Sequence, residues 1–221
     1  MSSMRTVPPP LLPGQSLTRD EFLCRWEALP ELKNAELIDG IVYMSSPVSN
    51  PHRKSDVLII AWLGAYAAGT PGCEAGSNGT WLMLEGAPQP DADLRILPEY
   101  GGQSRDEGKY PAGAPELAVE VCASSSTHDF GPKLALYQRA GVREYITLSL
   151  EPAEVVWREL EEGNYVPLAR ENDGTLRSRV FPGLWLDPEA LLAGDAARML
   201  ARLQLGLGSN DHAAFVERMR K

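Results

Sequence analysis

The sequence predicts an α/β protein whose core is a mixed β-sheet flanked by helices. Residues 115–121 form an apolar run typical of a buried strand, a helix ending at Gly141 follows, and residues 144–150 form a second apolar strand. A strand, crossover helix and strand in this order imply parallel pairing with a right-handed connection. Three later runs, at 154–160, 165–169 and 180–186, predict a β-meander, which adds antiparallel strands.

The N-terminal third predicts a helix, a hairpin and a longer helix after a flexible arm at residues 1–16, which contains three consecutive prolines. Thr18 and Glu21 have the spacing of a capping box, so a short helix is expected over 19–28. Asp39-Gly40 separates two apolar runs and predicts a hairpin. Asn50-Pro51 predicts the start of a helix that ends near Gly69.

The remaining segments predict two strands, a loop and a final helix. Strands are expected within 73–84 and 91–97, and the polar, glycine-rich residues 98–113 predict a mobile loop. Asp187-Pro188 begins a helix expected to reach Leu205. The predicted division is therefore a flexible arm (1–16), one domain (17–190) and a C-terminal helical extension (191–221).

Composition excludes several classes of protein. Hydrophobic residues make up 43% of the chain, which is too much for a disordered protein, and no apolar run is long enough to span a membrane. The three Cys and three His lack the spacing of a disulfide framework or a zinc site, so a cytoplasmic protein is expected. The formal net charge of −9 argues against a nucleic-acid binder, because such proteins usually carry a basic surface.

Carboxylates are the candidate chemical groups. Glu120 lies within the apolar strand, where an unpaired carboxylate is costly, so it is paired, protonated, metal-bound or on an exposed face. Strand alternation places Glu116, Ala118 and Glu120 on one face. Asp91 and Asp93 begin another strand and could add a ligand, although acids after prolines commonly cap turns. A carboxylate site would suit Mg²⁺ or Mn²⁺.

Lys133 is the candidate cation. It lies four residues after Asp129 and four before Tyr137, so the three share one face of a helix. One interpretation is an exposed ion pair with Asp129, which contributes only a few tenths of a kcal/mol. The other is that Lys133 points toward Glu120 and stabilises developing negative charge.

These segments together resemble the Uma2-like group of restriction endonucleases in the PD-(D/E)xK nuclease superfamily. The resemblance covers roughly residues 17–190, and the matching segments are 36–40, His52, 89–91, 115–121, 124–126, Asp129, Lys133, Tyr137 and 141–145. It implies a restriction-endonuclease-like core and a metal-dependent endonuclease acting on DNA.

The resemblance also implies roles for individual residues. Asp91 and Glu120 would hold Mg²⁺ or Mn²⁺, together with the backbone carbonyl of Val121, and Glu36 would add a further carboxylate near the metal. The superfamily lysine should stand two residues after Glu120, but Cys122 occupies that position. The Uma2-like group supplies its lysine from the following helix, where Lys133 matches. A thiol cannot replace the ammonium at neutral pH.

His52 and Asp129 are expected as supporting residues, although His52 could be a surface residue and Asp129 could simply cap its helix. The serines at 124–126 predict a turn.

Two other functions stay open from the sequence: a catalytically inactive interaction module on the same fold, and a hydrolase of small phosphorylated molecules. The apolar last helix predicts packing on the core or across the two-fold axis of a homodimer.

Overall fold

A computed structural model describes residues 9–32, 34–44, 49–124 and 127–220, apart from the side chains of 124–130. The helices are α1 (Arg19–Glu27), α2 (Asn50–Gly69), α3 (Thr127–Ala140), α4 (Pro188–Ala193), α5 (Ala196–Leu207) and α6 (Asn210–Met219). The strands are β1 (Ala35–Ile38), β2 (Ile41–Met44), β3 (Cys73–Gly76), β4 (Ala92–Ile96), β5 (Arg105–Glu107), β6 (Tyr110–Ala112), β7 (Leu117–Ser124), β8 (Glu144–Glu151), β9 (Ala153–Glu161), β10 (Asn164–Pro167), β11 (Leu176–Arg177) and β12 (Trp185–Leu186).

The core is a six-stranded mixed sheet, as the sequence predicts. Its strand order is β10-β9-β8-β7-β4-β3. The central pair β7 and β8 is parallel and is joined through α3, and every other pair in this sheet is antiparallel. The predicted hairpin forms a separate pair, β1 with β2, around Asp39 and Gly40, which both have positive φ.

Strand alternation gives β7 two different faces. Leu117, Val119 and Val121 lie in the main core, which also contains residues of α2 and α5. Ala118 packs in a second cluster with Tyr137 of α3. Glu120 lies two residues after Ala118, so it is on this second face as well. The backbone pattern thus places the Glu120 carboxylate beneath α3.

Helix α2 has the position and length that the sequence predicts. Ser49 is its N-cap and Pro51 lies in its first turn. Its buried residues include Trp62, whose ring packs edge-to-face on Trp157 of β9 with the centroids 5.7 Å apart. The helix therefore lies against the sheet, with its N-terminal turn at one end of the central strands.

Residues 77–113 differ from the prediction. Only Cys73–Gly76 of the expected strand 73–84 pairs in the main sheet. The expected loop 98–113 contains a 3₁₀ turn and the hairpin β5–β6. Arg95 of β4 binds Asp106 of this hairpin at 2.8 Å, a long-range ion pair that local sequence patterns do not indicate.

The C-terminal part also differs. The expected third strand of the meander, 180–186, is wrong: only Trp185–Leu186 is a strand, and it pairs with β11. Gly183, with φ of 89°, turns the chain just before it. The expected single helix divides at Gly194, which adopts a left-handed conformation, and Asp195 caps the new helix α5.

Both ends of the chain that the structure describes pack on the rest of it. Leu11 is buried, and the Gly14 amide donates to the Val42 carbonyl at 2.8 Å, while residues 1–8 lie outside the described part. Met199 and Leu203 of α5 belong to the main core, which is the first of the two packing modes expected for the last helix. Within the described ranges, no helix has the length and apolar character needed to cross a membrane.

Candidate active site

Glu120 lies at the centre of a cluster of charged side chains between β7 and α3. Its side chain is buried, and both carboxylate oxygens accept hydrogen bonds from the Lys133 ammonium, at 3.0 and 2.9 Å. The Tyr137 hydroxyl donates to Glu120 Oε1 at 2.7 Å. Lys133 and Tyr137 are four residues apart on α3 and share one face of this helix, as the sequence predicts, and that face supplies both donors.

Glu36 of β1 joins the same cluster. Its Oε1 lies 2.8 Å from Lys133 Nζ and accepts a hydrogen bond from the Gln89 amide at 2.6 Å. The carbonyl of Gln89 accepts from Lys133 at 3.0 Å. The ammonium therefore contacts three parts of the chain: the β1–β2 hairpin, the segment before β4, and β7.

Asp91 lies on the other side of Glu120. Its Oδ2 accepts a hydrogen bond from the Val121 amide at 2.7 Å, so its carboxylate is fixed beside the residue that follows Glu120. Two residues from the first turns of α2 approach it: His52 Nε2 is 3.9 Å from Asp91 Oδ2 and 3.4 Å from Asp56 Oδ1. Ligand atoms of His52, Asp56 and Asp91 all lie within 4.8 Å of one another.

The electrostatics of the cluster are dominated by three carboxylates, those of Glu120, Glu36 and Asp91, around one ammonium. Burial raises the pKa of Glu120, and the neighbouring carboxylates add to that effect while Lys133 opposes it. Burial acts to lower the pKa of Lys133, but the carboxylates of Glu120, Glu36 and Asp91 outweigh it and raise that pKa. The lysine is therefore charged at neutral pH.

The donor set fits a divalent cation. Oδ1 of Asp56 is buried without a hydrogen-bond partner, and burial raises the pKa of Asp56 to about 6. The nearest basic group is the His52 imidazole, 3.4 Å away. A buried carboxylate oxygen without a hydrogen bond is costly, and a cation next to it would reduce that penalty. Carboxylate oxygens suit Mg²⁺ or Mn²⁺, and an imidazole nitrogen is a compatible neighbour.

The structure brings together most of the residues that the sequence singled out. Those that converge are Glu36, His52, Asp91, Glu120 and Lys133. Asp93 does not join them, because its carboxylate accepts from the indole of Trp81 at 3.2 Å in a separate pocket. The side chain of Asp129 and residues 125–126 lie outside the described part of the chain.

Sequence reasoning missed Asp56, and it did not count Tyr137 or Gln89 among the site residues. The spacing of His52 and Asp56, four residues apart on a predicted helix, would have indicated that both lie on one face of that helix. The Gln89 contacts involve its backbone, so its side-chain type gave no indication of them.

Comparisons with known proteins show the family and the fold. The model of the Uma2 family, described as "Putative restriction endonuclease", matches residues 19–189. A crystal structure described as a putative nuclease belonging to DUF820, from Anabaena variabilis ATCC 29413, superposes with a TM-score of 0.63. The two chains are 16% identical, and the match covers 80% of this chain and 98% of the other. No curated protein matches the sequence.

Proposed function

The chain belongs to the Uma2 family, and we propose that it is a metal-dependent endonuclease that hydrolyses phosphodiester bonds of DNA. The observation that carries the proposal is the position of Lys133. Its ammonium lies within 3.0 Å of both oxygens of Glu120, while Asp91 is bonded to the next residue of β7. Two acids and a lysine thus meet although the lysine comes from a helix rather than from the strand itself.

We assign the cation site to Asp91 and Glu120, with the Val121 carbonyl, and place His52 and Asp56 beside Asp91. A bound Mg²⁺ or Mn²⁺ would polarise the phosphodiester and lower the pKa of a coordinated water.

Side chains of the protein would stabilise the charge that develops on the phosphate and orient the Glu120 carboxylate. Lys133 places a fixed positive charge where negative charge develops on the phosphate, an arrangement that commonly contributes several kcal/mol to transition-state stabilisation. Glu36 and the Gln89 carbonyl hold that ammonium in one position. Tyr137 and Lys133 together orient the Glu120 carboxylate, so it does not have to reorganise during the reaction.

Cleavage of labelled duplex DNA by the purified chain tests the proposal. We expect cleavage with Mg²⁺ or Mn²⁺, none with a chelator, and none in Asp91→Ala or Glu120→Ala. Asp93→Asn is the matched control, because Asp93 is an acid of the same segment that binds Trp81 instead of entering the cluster. A folded wild-type protein that cleaves neither DNA nor RNA with any divalent metal would refute the endonuclease.

An inactive interaction module on the same fold is the main alternative. It predicts that Lys133 points into solvent, away from Glu120. Instead, the Lys133 side chain is only 13% exposed and contacts two carboxylates, an arrangement with a large desolvation penalty. No feature of the described residues favours the small-molecule hydrolase.

A homodimer is the assembly we propose, because a two-fold axis would present two sites to the two strands of a duplex. Light scattering coupled to gel filtration tests it, and a strict monomer at micromolar concentration would contradict it. The expected compartment is the cytoplasm, in keeping with three cysteines that form no disulfide.

A further inference from the structure

A cleft of about 1070 Å³ lies next to the candidate active site. One wall is the N-terminal part of α2, including Ser49, Arg53 and Lys54, and it also contains Ala123, three residues beyond Glu120 on β7. Since His52 lies between two lining residues, Pro51 and Arg53, the cleft and the acid cluster share the first turn of α2. The remaining wall comes from the ends of β8 and β9 and from α4.

Arg53 and Lys54 differ from the cations that form ion pairs in the described part of the chain. The ion pairs with carboxylates at the surface involve Arg25, Arg105, Lys109, Arg139, Arg170, Arg177, Arg198 and Arg202. Among the described residues, no carboxylate lies within ion-pair distance of Arg53 or Lys54, and the first turn of α2 contains no acid. Both side chains are exposed.

The geometry of Arg53 also suits a phosphate. Its Nε donates to the Asn50 side chain at 2.7 Å, which orients the guanidinium and leaves the two terminal nitrogens for a ligand. A guanidinium held this way binds phosphate oxygens with paired donors, and an adjacent ammonium adds a second point charge. Among the described residues that line the cleft, Glu151, on the opposite wall, is the one carboxylate.

We propose that this cleft, through Arg53 and Lys54, binds the sugar-phosphate backbone of the nucleic-acid strand that passes through the active site. The inference rests on the proposed endonuclease and adds the path of its substrate. The apolar residues of the wall, among them Val57, Leu58 and Leu191, can contact sugars without reading sequence. Binding here therefore tolerates any base sequence.

Fluorescence anisotropy with labelled duplexes of unrelated sequence tests the inference. Binding is measured over a range of salt concentrations with Ca²⁺ in place of Mg²⁺, and intact strands are checked on a gel. Each phosphate contact contributes about 0.9 to the slope of log affinity against log salt. We expect Arg53→Ala/Lys54→Ala to lower that slope by about 1.8 for every duplex, and Lys54→Ala alone to lower it by about 0.9.

Arg218→Ala/Arg220→Ala is the matched control, since it removes two exposed positive charges, one from α6 and one from its C-cap. A Cβ atom added at Gly72, just beyond the C-terminal end of α2, would lie 2.8 Å from the side chain of Met219, which stands between the two arginines. Helix α2 has 20 residues and is about 30 Å long. The control is expected to keep the wild-type slope. An unchanged slope in the Arg53/Lys54 variants, a wild type that binds no duplex, or an equal loss in the control would overturn the inference.

Cleavage by the wild-type chain is measured in parallel, so the two proposals fail separately. If the wild type cleaves DNA and Arg53→Ala/Lys54→Ala keeps the wild-type salt slope, the proposal of a backbone-binding cleft is refuted and the proposed endonuclease is supported. If binding depends on Arg53 and Lys54 but no divalent metal supports cleavage, the proposed endonuclease is refuted and the backbone-binding cleft is supported.

Discussion

At the scale of single residues, the central feature is a buried lysine shared by two carboxylates. Removing one partner of a buried ion pair commonly costs about 3–5 kcal/mol, because the other charge is left without compensation. Lys133 contacts Glu36 and Glu120 at once, so each carboxylate depends on the same ammonium. The three side chains therefore act as one unit, and substitutions among them are expected to be non-additive.

Tyr137 provides a test of how the Glu120 carboxylate is positioned. Tyr137→Phe removes the hydroxyl that donates to Oε1, so we expect kcat for DNA cleavage to fall about tenfold with KM unchanged. A hydrogen bond to a charged group is worth about 1.5–3 kcal/mol, and unfolding by urea should show a loss of that order. Steady-state cleavage kinetics measure the first effect.

Tyr145→Phe is the control for this substitution. The Tyr145 ring is also fully buried and packs on Tyr137 with the centroids 5.3 Å apart, but its hydroxyl has no hydrogen-bond partner. We expect wild-type kcat and no loss of stability. Equal effects of the two substitutions would show that Tyr137 acts only through packing.

Residues embedded in a local pattern could be predicted from the sequence, and those defined by three-dimensional contact could not. Glu120 is recognisable because a carboxylate interrupts an apolar strand, and Lys133 because it shares a helical face with Tyr137. Asp56 and the Gln89 backbone acquire their roles only where α2 and the segment before β4 meet β7. Nothing in their immediate neighbours indicates that meeting.

At the scale of elements, the close approach of α5 to the chain before β12 makes Gly206 sensitive. A Cβ atom added there would lie 2.2 Å from the Gly183 carbonyl oxygen. We expect Gly206→Ala to destabilise the protein by about 1–3 kcal/mol, as overpacking does. Thermal unfolding measures the change.

Gly64→Ala is the matched substitution in the middle of α2, where an added Cβ meets no atom within 4 Å. There the greater helix propensity of alanine should stabilise the protein by about 0.5–1 kcal/mol. A destabilised Gly64→Ala, or a neutral Gly206→Ala, would contradict the packing of these helices.

Glu144 links β8 to the chain before β12 and should make stability depend on pH. Its carboxylate accepts from Ser178 Oγ and from the amides of Arg179 and Val180, and burial raises its pKa to about 7. Between about pH 4.5 and 7 the folded state binds a proton that the unfolded state has released. Stability should therefore fall as pH rises through that range, by up to about 3 kcal/mol from this group.

Urea unfolding at several pH values measures this dependence. Glu144→Gln is expected to flatten it, and Glu154→Gln, an exposed glutamate of β9, to leave it as in the wild type. An unfolding free energy that rises between pH 4.5 and 7 in the wild type, or an unaltered profile in Glu144→Gln, would contradict the assignment.

Elements were predicted well where the periodicity is local and poorly where distant contacts create them. The strands β7 and β8 and the helix α2 follow from apolar alternation and from capping residues. The hairpin β5–β6 does not, because Arg105–Glu107 is entirely polar and the hairpin is held by Arg95. The last helix divides at Gly194, which adopts a left-handed conformation. The apolar pattern continues across this glycine, so it gave no indication of the division.

At the scale of the whole molecule, the negative charge is partly a property of the site itself. The chain carries 30 acidic and 21 basic residues, and three of the acids, Glu36, Asp91 and Glu120, surround Lys133. Long-range attraction to DNA is therefore expected to be weak. Affinity would come from the cation and from a few local contacts. The salt dependence of binding should therefore reflect only the number of those phosphate contacts.

The most direct test of the central claim is Mg²⁺-dependent cleavage of a closed circular plasmid by wild type, Lys133→Met and Lys133→Met/Cys122→Lys. Residue 122 is two positions after Glu120 and shares its strand face, so a lysine there can reach the same carboxylate. We predict that Lys133→Met lowers the cleavage rate at least about a hundredfold and that the double variant recovers part of it. Cleavage at the wild-type rate by a folded Lys133→Met protein would contradict the claim.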